Sequence, residues 1–249
     1  MEEALAHVET EVTRSARLER RNENQPSRLP LRPKRAKTAG VIIALIAAAV
    51  ASIGDFILLA AANAGNAALA WVPAPSDGVL LVGTYLGLLA IPCYALGYLD
   101  AARRLDDAHG RPLRHLGTVI AVLGGTTHAL TGLAIHLQRG KDLAGADFAA
   151  VLEPAGTYLA PIWMILAAAS IVAGYYFTAG VLSGGSSLPT WTAPANPIAL
   201  TLAISLVTAP FTFGAAFLVP AAPNLSHVIF FGMLAFLSRT DRPAVRPSV

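Results

Sequence analysis

The chain has 249 residues, of which 55% are hydrophobic and 13% charged, with a formal net charge of +3. A soluble domain of this length carries roughly twice that share of charge, so a soluble globular fold is excluded. Membrane β-barrels are excluded as well, because the apolar runs are continuous rather than alternating.

The distribution of charge says more than its total. From Pro154 to Ser238 there is no Asp, Glu, Lys or Arg, and between Lys37 and Asp100 only Asp55 and Asp77 carry charge. A bilayer core about 30 Å thick asks for about 20 apolar residues per helix, which these stretches supply. The expected fold is all-α: a polytopic integral membrane helical bundle of about six transmembrane helices within residues 39–238. Cys93 is the single cysteine, so neither an intrachain disulfide nor a Cys-based metal site is available.

Residues 1–38 form a polar, basic tail with no apolar run, so no cleavable signal peptide is expected and the first span serves as its own insertion signal. Arg28–Lys37 holds five basic residues close to Pro26, Pro30 and Pro33, which oppose a helix. Contact with anionic lipid headgroups is one reading and a solvated topology signal the other. Nucleic acid is not an expected partner, because no binding fold accompanies the charge. Residues 239–249 form a second short tail.

The spans are expected at about 40–63, 78–99, 116–138, 157–181, 197–219 and 223–238. With the N-terminus inside, sixteen basic residues fall on the cytoplasmic side, among them Arg103, Arg104, Arg111 and Arg114, against only Arg139 and Lys141 outside. That asymmetry predicts a multi-pass protein of the cell inner (plasma) membrane with both termini cytoplasmic. Gly83 and Gly87 form a GxxxG pair in the second span, and Gly117, Gly124, Gly125 and Gly132 line the third, as close helix packing requires. Trp71 and Trp191 fall at opposite boundaries as interfacial anchors, while Pro92, Pro161 and Pro210 are expected to kink their spans.

Asp55 is the most informative residue. It lies about 21 Å along the first span, in the outer third of the membrane. A carboxylate there costs about 3 kcal/mol or more unless it is protonated, paired or hydrated, so it faces a cavity or bonds a neighbouring helix. His128, in Gly124-Gly125-Thr126-Thr127-His128, falls about 17 Å from the inner side of the third span, within reach of that depth. An Asp–His pair would fix the imidazole tautomer and keep a proton available. The competing reading is a neutral buried His bonded to a hydroxyl such as Thr131.

His227 and Asn224 open the last span, where Asn224 or Ser226 can simply cap the helix. His136 and Glu153 fall near outer ends of their spans. Thr201, Ser205, Thr208 and Thr212 share one face of the fifth span, although such hydroxyls often bond back to their own helix. Tyr94 and Tyr98 read as belt residues. Asp55, His128, His136 and His227 lack the close helical spacing of a metal site, so no metal is expected. No HExxH, GxSxG, phosphate-binding glycine loop or aspartate-rich motif is present, and no cofactor is expected.

Gly54-Asp55, Tyr94-Ala-Leu-Gly-Tyr98, Gly124-x-x-x-His128 and Asn224-x-x-His227-x-x-Phe230-Phe231 together resemble a bacterial family of multi-pass membrane proteins of unknown function. The resemblance covers most of residues 40–238 and implies a membrane fold of six or so helices with no established activity.

Three functions compete. The first is a membrane-embedded enzyme or binder for a lipid-like small molecule, with Asp55 and His128 as the reacting pair and His227, Asn224, Glu153, Thr131 and Thr208 as binding residues. The second is a proton-coupled small-molecule transporter, and the third a non-catalytic membrane subunit whose polar residues join helices. Unbroken spans favour the first over the second. Membrane lipids are the other expected partners, and the pocket is expected to enter from the extracytoplasmic side. For the topology, fusion reporters at Ala70 and Gly145 should read extracytoplasmic, and at Ala108, Leu188 and Val245 cytoplasmic. A cytoplasmic signal at Gly145 would break the arrangement.

Overall fold

The structure, a computed structural model, describes residues 38–138 and 148–240. The basic tail, Arg139, Lys141 and the last nine residues lie outside the described residues. Seven α-helices are found among the described residues: α1 (Thr38–Ala62), α2 (Asp77–Ala90), α3 (Tyr94–Arg103), α4 (Asp107–Gln138), α5 (Phe148–Leu182), α6 (Pro197–Thr208) and α7 (Val219–Thr240). Among the described residues five helical stretches are long and apolar enough to cross a membrane: Ala39–Ala62, Asp77–Arg103, Asp107–Gln138, Ala155–Leu182 and Gly214–Arg239. Large apolar side chains such as Ile46, Leu89, Met164, Leu206 and Phe236 stand on the outside. An apolar exterior of that extent fits a polytopic membrane helical bundle.

The helices alternate in direction. Asp55 of α1 meets Asn224 of α7, and Leu45 packs on Gly232, so these two helices are antiparallel and Thr38 and Thr240 share one face. We call that face proximal and the one reached by Ala62 distal. α2 and α3 form one crossing, bent through a 3-10 turn at Ile91–Cys93 where Pro92 has no N–H to give. The bend seats on α4, where Gly124 faces Ile91 and Gly125 faces Pro92. Gly117 and Gly132 receive Tyr98 and Thr84 in the same way. Bare backbone at these positions lets helices without a hydrophobic drive between them still pack closely.

The fifth crossing departs from the expected continuous span at 197–219. Ser187 N–H donates to the Arg104 carbonyl at 2.9 Å, which fixes this segment on the proximal face. The chain then turns inward as a 3-10 segment, Thr190–Ala195, held to α5 where the Thr178 hydroxyl donates to the Ala193 carbonyl at 3.1 Å. Asn196 caps α6, accepting from Ala199 N–H at 3.0 Å, and Pro197 supplies the first-turn residue that needs no donor. α6 has 12 residues, about 18 Å, too short to cross alone. It ends in a turn at 209–211 that contains Pro210, and Phe213 just after it stacks on Trp71 at 5.7 Å on the distal face. A π-helical turn, Gly214–Leu218, follows and leads into α7. The last crossing is therefore longer than the expected 223–238, and the fifth is a broken one.

Arg104 is a second correction. It counts among the loop cations in the sequence, yet it is buried, donating through Nε to Asp100 Oδ2 at 3.1 Å and through Nη2 to the Ser238 hydroxyl. This contact ties α3 to α7 at the proximal end.

Gly97 faces the Phe231 ring so closely that a methyl group would collide with it, whereas Gly78 has nothing within 4 Å. Gly97→Ala is expected to lower stability by about 1–3 kcal/mol. Gly78→Ala, at the start of α2, is expected to leave thermal unfolding in detergent nearly unchanged. Equal effects at both positions would contradict this packing.

Candidate functional site

Asp55 sits where α1 crosses α2 through glycine contacts. A Cβ on Gly54 would press on the Gly83 carbonyl, and one on Gly87 would collide with the His128 ring. The GxxxG pair of α2 therefore has two roles here. Gly87 leaves room for an imidazole arriving from α4, and Gly83 offers it a carbonyl.

His128 makes two bonds. Its Nε2 lies 3.1 Å from the Gly83 carbonyl and its Nδ1 lies 3.1 Å from Asp55 Oδ1. A carbonyl only accepts, so Nε2 carries hydrogen. The bond to Asp55 then needs one further proton. Either the carboxyl group donates to a neutral ring, or an imidazolium donates to the carboxylate. In both forms the pair is neutral overall and holds one exchangeable proton. That is how a carboxyl group is accommodated at this depth.

The other carboxyl oxygen is engaged too. Asn224 Nδ2 donates to Asp55 Oδ2 at 2.7 Å, and the Tyr94 hydroxyl donates to Asn224 Oδ1 at 2.8 Å. His227 stacks on Tyr94 with ring centroids 4.6 Å apart. Its Nδ1–H donates to the Pro223 carbonyl at 2.7 Å, so Nε2 accepts from the Tyr98 hydroxyl at 2.9 Å. These two chains of hydrogen bonds draw on five helices.

These groups bound a cavity of about 480 Å³. Its size falls in the range of small-molecule pockets, and its lining is apolar apart from a few convergent polar groups. Asp55, His128, Thr131, Asn224 and His227 all line it, as the sequence expectation groups them. Glu153 and Thr208 do not. Glu153 is exposed near the distal end of α5, and the Thr208 hydroxyl donates to its own helix at Ile204 at 2.8 Å. Of the expected hydroxyl stripe only Thr201 reaches the cavity. His136 is exposed and does not frame an entrance.

Sequence reasoning missed Tyr94, Trp163 and Ser170 as lining residues. Tyr94 had a signal, its spacing of one turn from Tyr98, but both were assigned to the interfacial belt and are instead buried. Trp163 and Ser170 sit in an unbroken apolar run with nothing to single them out. Among the described residues no three of His, Cys, Asp and Glu gather as metal ligands.

Residues 33–241 match a family described as a family of unknown function, DUF6796. No curated protein and no solved structure matches the chain.

The bond pattern separates two variants at one position. Asp55→Ala takes the bonded partner from Asn224 Nδ2 and from the buried His128 Nδ1, at about 1–3 kcal/mol each. Asp55→Asn keeps an acceptor for Asn224 and a donor for neutral His128, while removing the shared proton. Thermal unfolding in detergent should therefore show a clear loss for the alanine variant and little for asparagine. Comparable losses would mean that the pair is not bonded in this way.

Proposed function

The chain belongs to DUF6796, a family of unknown function, and we propose that it is a multi-pass plasma-membrane protein that holds a lipid-like small molecule and exchanges a proton with it through Asp55 and His128. The observation that carries this reading is the Asp55–His128 hydrogen bond of 3.1 Å at the wall of an apolar cavity. General acid–base work needs a positioned group that can give or take a proton in a site that excludes water. The pair meets that need, because its second bonds to Gly83 and Asn224 fix both partners in place. The excess of basic residues on one side, with Thr38 and Thr240 on a shared face, supports cytoplasmic termini.

A proton-coupled carrier is the second reading, and one observation favours it. The fifth crossing is discontinuous, and the first residues of α6, Pro197, Ile198 and Thr201, line the cavity. Broken helices of this kind mark substrate sites in transporters. Against it, the proximal side of the cavity is closed by packed rings. Tyr94, Tyr98, Phe230 and Phe231 are all nearly fully buried and stack around His227. That plug supports a site closed at one end.

Mass spectrometry of the purified protein tests the proposal. An apolar small molecule should co-purify in near-stoichiometric amount and be displaced by Ser170→Trp, which fills the cavity from α5. Identical extracts from both proteins would overturn the reading. In sealed vesicles the protein should carry no proton flux, and a flux abolished by Asp55→Asn would establish the carrier instead.

A further inference from the structure

The cavity wall is uneven in a way that points to the route of entry. Lining residues from α1, α3 and α4, such as Leu58, Tyr94, Ile120 and His128, are buried. Those that reach the exterior are Trp163 and Ala167 of α5 and Pro223 of α7. α5 meets the start of α6 at Gly174 and the preceding 3-10 segment at Thr178, on the proximal side of these rim residues. Counting from Ala155, where the apolar stretch of α5 begins, Trp163 and Ala167 lie about 12 and 18 Å along the helix. That depth lies inside the hydrocarbon layer rather than among headgroups. Met164 and Leu202 stand exposed close by in sequence on α5 and α6, so the surroundings of the gap are apolar.

The polar atoms inside point to the kind of headgroup. No Lys or Arg lines the cavity, and its single acid has both oxygens engaged in a pair that is neutral overall. Both nitrogens of His227 are engaged as well. A phosphate or carboxylate brought here would stay without a counter-ion in a low-dielectric site, at a cost that opposes binding. Thr127, Ser170 and Thr201 return their hydroxyls to their own helix carbonyls, at 2.7, 2.8 and 2.8 Å. Thr131 does not. It is nine-tenths buried, lines the cavity, and among the described residues its hydroxyl has no hydrogen-bond partner. It lies three residues after His128, on the same face of α4.

Resting on the reading that the cavity holds a lipid-like molecule, we infer that this ligand is an uncharged amphiphile with one neutral oxygen headgroup, entering sideways from the bilayer between α5 and the α6–α7 hairpin. Thr131 holds the oxygen within a helical turn of the proton shared by Asp55 and His128. The lateral gap admits the chain end of a molecule already dissolved in the membrane, so no aqueous entrance is required.

The test uses the full chain in phosphatidylcholine vesicles and three photoactivatable probes of equal chain length, carrying an alcohol, a carboxylate or a phosphate. The alcohol is expected to label cavity residues on α4 and α7 at least about tenfold more than the other two, as mapped by peptide mass spectrometry. Thr131→Val should weaken alcohol labelling by about tenfold, the scale of one hydrogen bond, and Thr131→Ser should restore it. Ala167→Trp should slow labelling severalfold at unchanged final yield. Equal labelling by all three probes, or no loss with Thr131→Val, would overturn the headgroup assignment while leaving the cavity reading intact. Unchanged rates with Ala167→Trp would overturn lateral entry. Absence of cavity labelling by every probe would remove the lipid-like ligand itself.

Discussion

A carboxyl group at bilayer depth constrains everything packed around it. Asp55 has no route to water along its own helix, because an Asp side chain is too short to snorkel. Its two oxygens must be satisfied by neighbours, and His128 and Asn224 do so at 3.1 and 2.7 Å. Those partners come from α4 and α7, and His128 in turn needs the Gly83 carbonyl of α2. One acid at this depth thereby fixes the relative register of four helices. The glycines follow from the same demand. Gly54, Gly83 and Gly87 bring α1 and α2 close enough for the ring to reach a backbone carbonyl that would otherwise be shielded.

The rest of the bundle divides according to whether it shares in that network. α1, α2, α3, α4 and the distal part of α7 are stitched by polar bonds and by glycine contacts, and they form the closed floor of the cavity. α5 lies along α4, but among the described residues its only polar ties to the fifth crossing are at Thr178, near its proximal end. Between lipid-facing helices there is no hydrophobic drive to close a gap, since the tails are as apolar as the side chains. An opening on this side therefore costs little, and it appears where polar and small-residue contacts stop.

How much of this the sequence reveals depends on how strongly a residue type is penalised by its setting. Asp55 and His128 are legible because an ionisable group in an apolar run has few tolerable explanations, and helix rise alone places both at compatible depth. Their contact adds the geometry that depth cannot supply, and Gly83 as the third partner is invisible because a backbone carbonyl has no residue signature. Tyr94 and Tyr98 are misread since tyrosine is equally at home in an interfacial belt or beside a buried acceptor. Arg104 is misread for a related reason, its charge being neutralised by Asp100 one turn away. Thr208 shares a helical face with Thr201 and like it bonds back to its own helix, yet only Thr201 lines the cavity. Periodicity identifies a face but not the neighbour it meets. The last two crossings shift because an average of hydropathy does not distinguish a helix from a 3-10 or π-helical path of the same composition.

The broken crossing and the acid network meet at the cavity, and their physical characters differ. The network is bonded throughout: Asp55, His128, Asn224, Tyr94, Tyr98 and His227 all have partners, so a ligand gains little by displacing them and loses their desolvation cost if it tries. The broken crossing is the opposite, with α6 short, capped by Asn196 and joined to α7 through a proline-containing turn. Recognition that leaves the network intact can use the apolar wall and the Thr131 hydroxyl. A proton can still pass, because the Asp55–His128 pair is neutral with its proton on either partner and needs no new counter-charge to shift it. In the proposed function a neutral, largely apolar ligand meets a neutral proton store, and a proton given to that ligand leaves one negative charge on the pair beside the positive charge it creates.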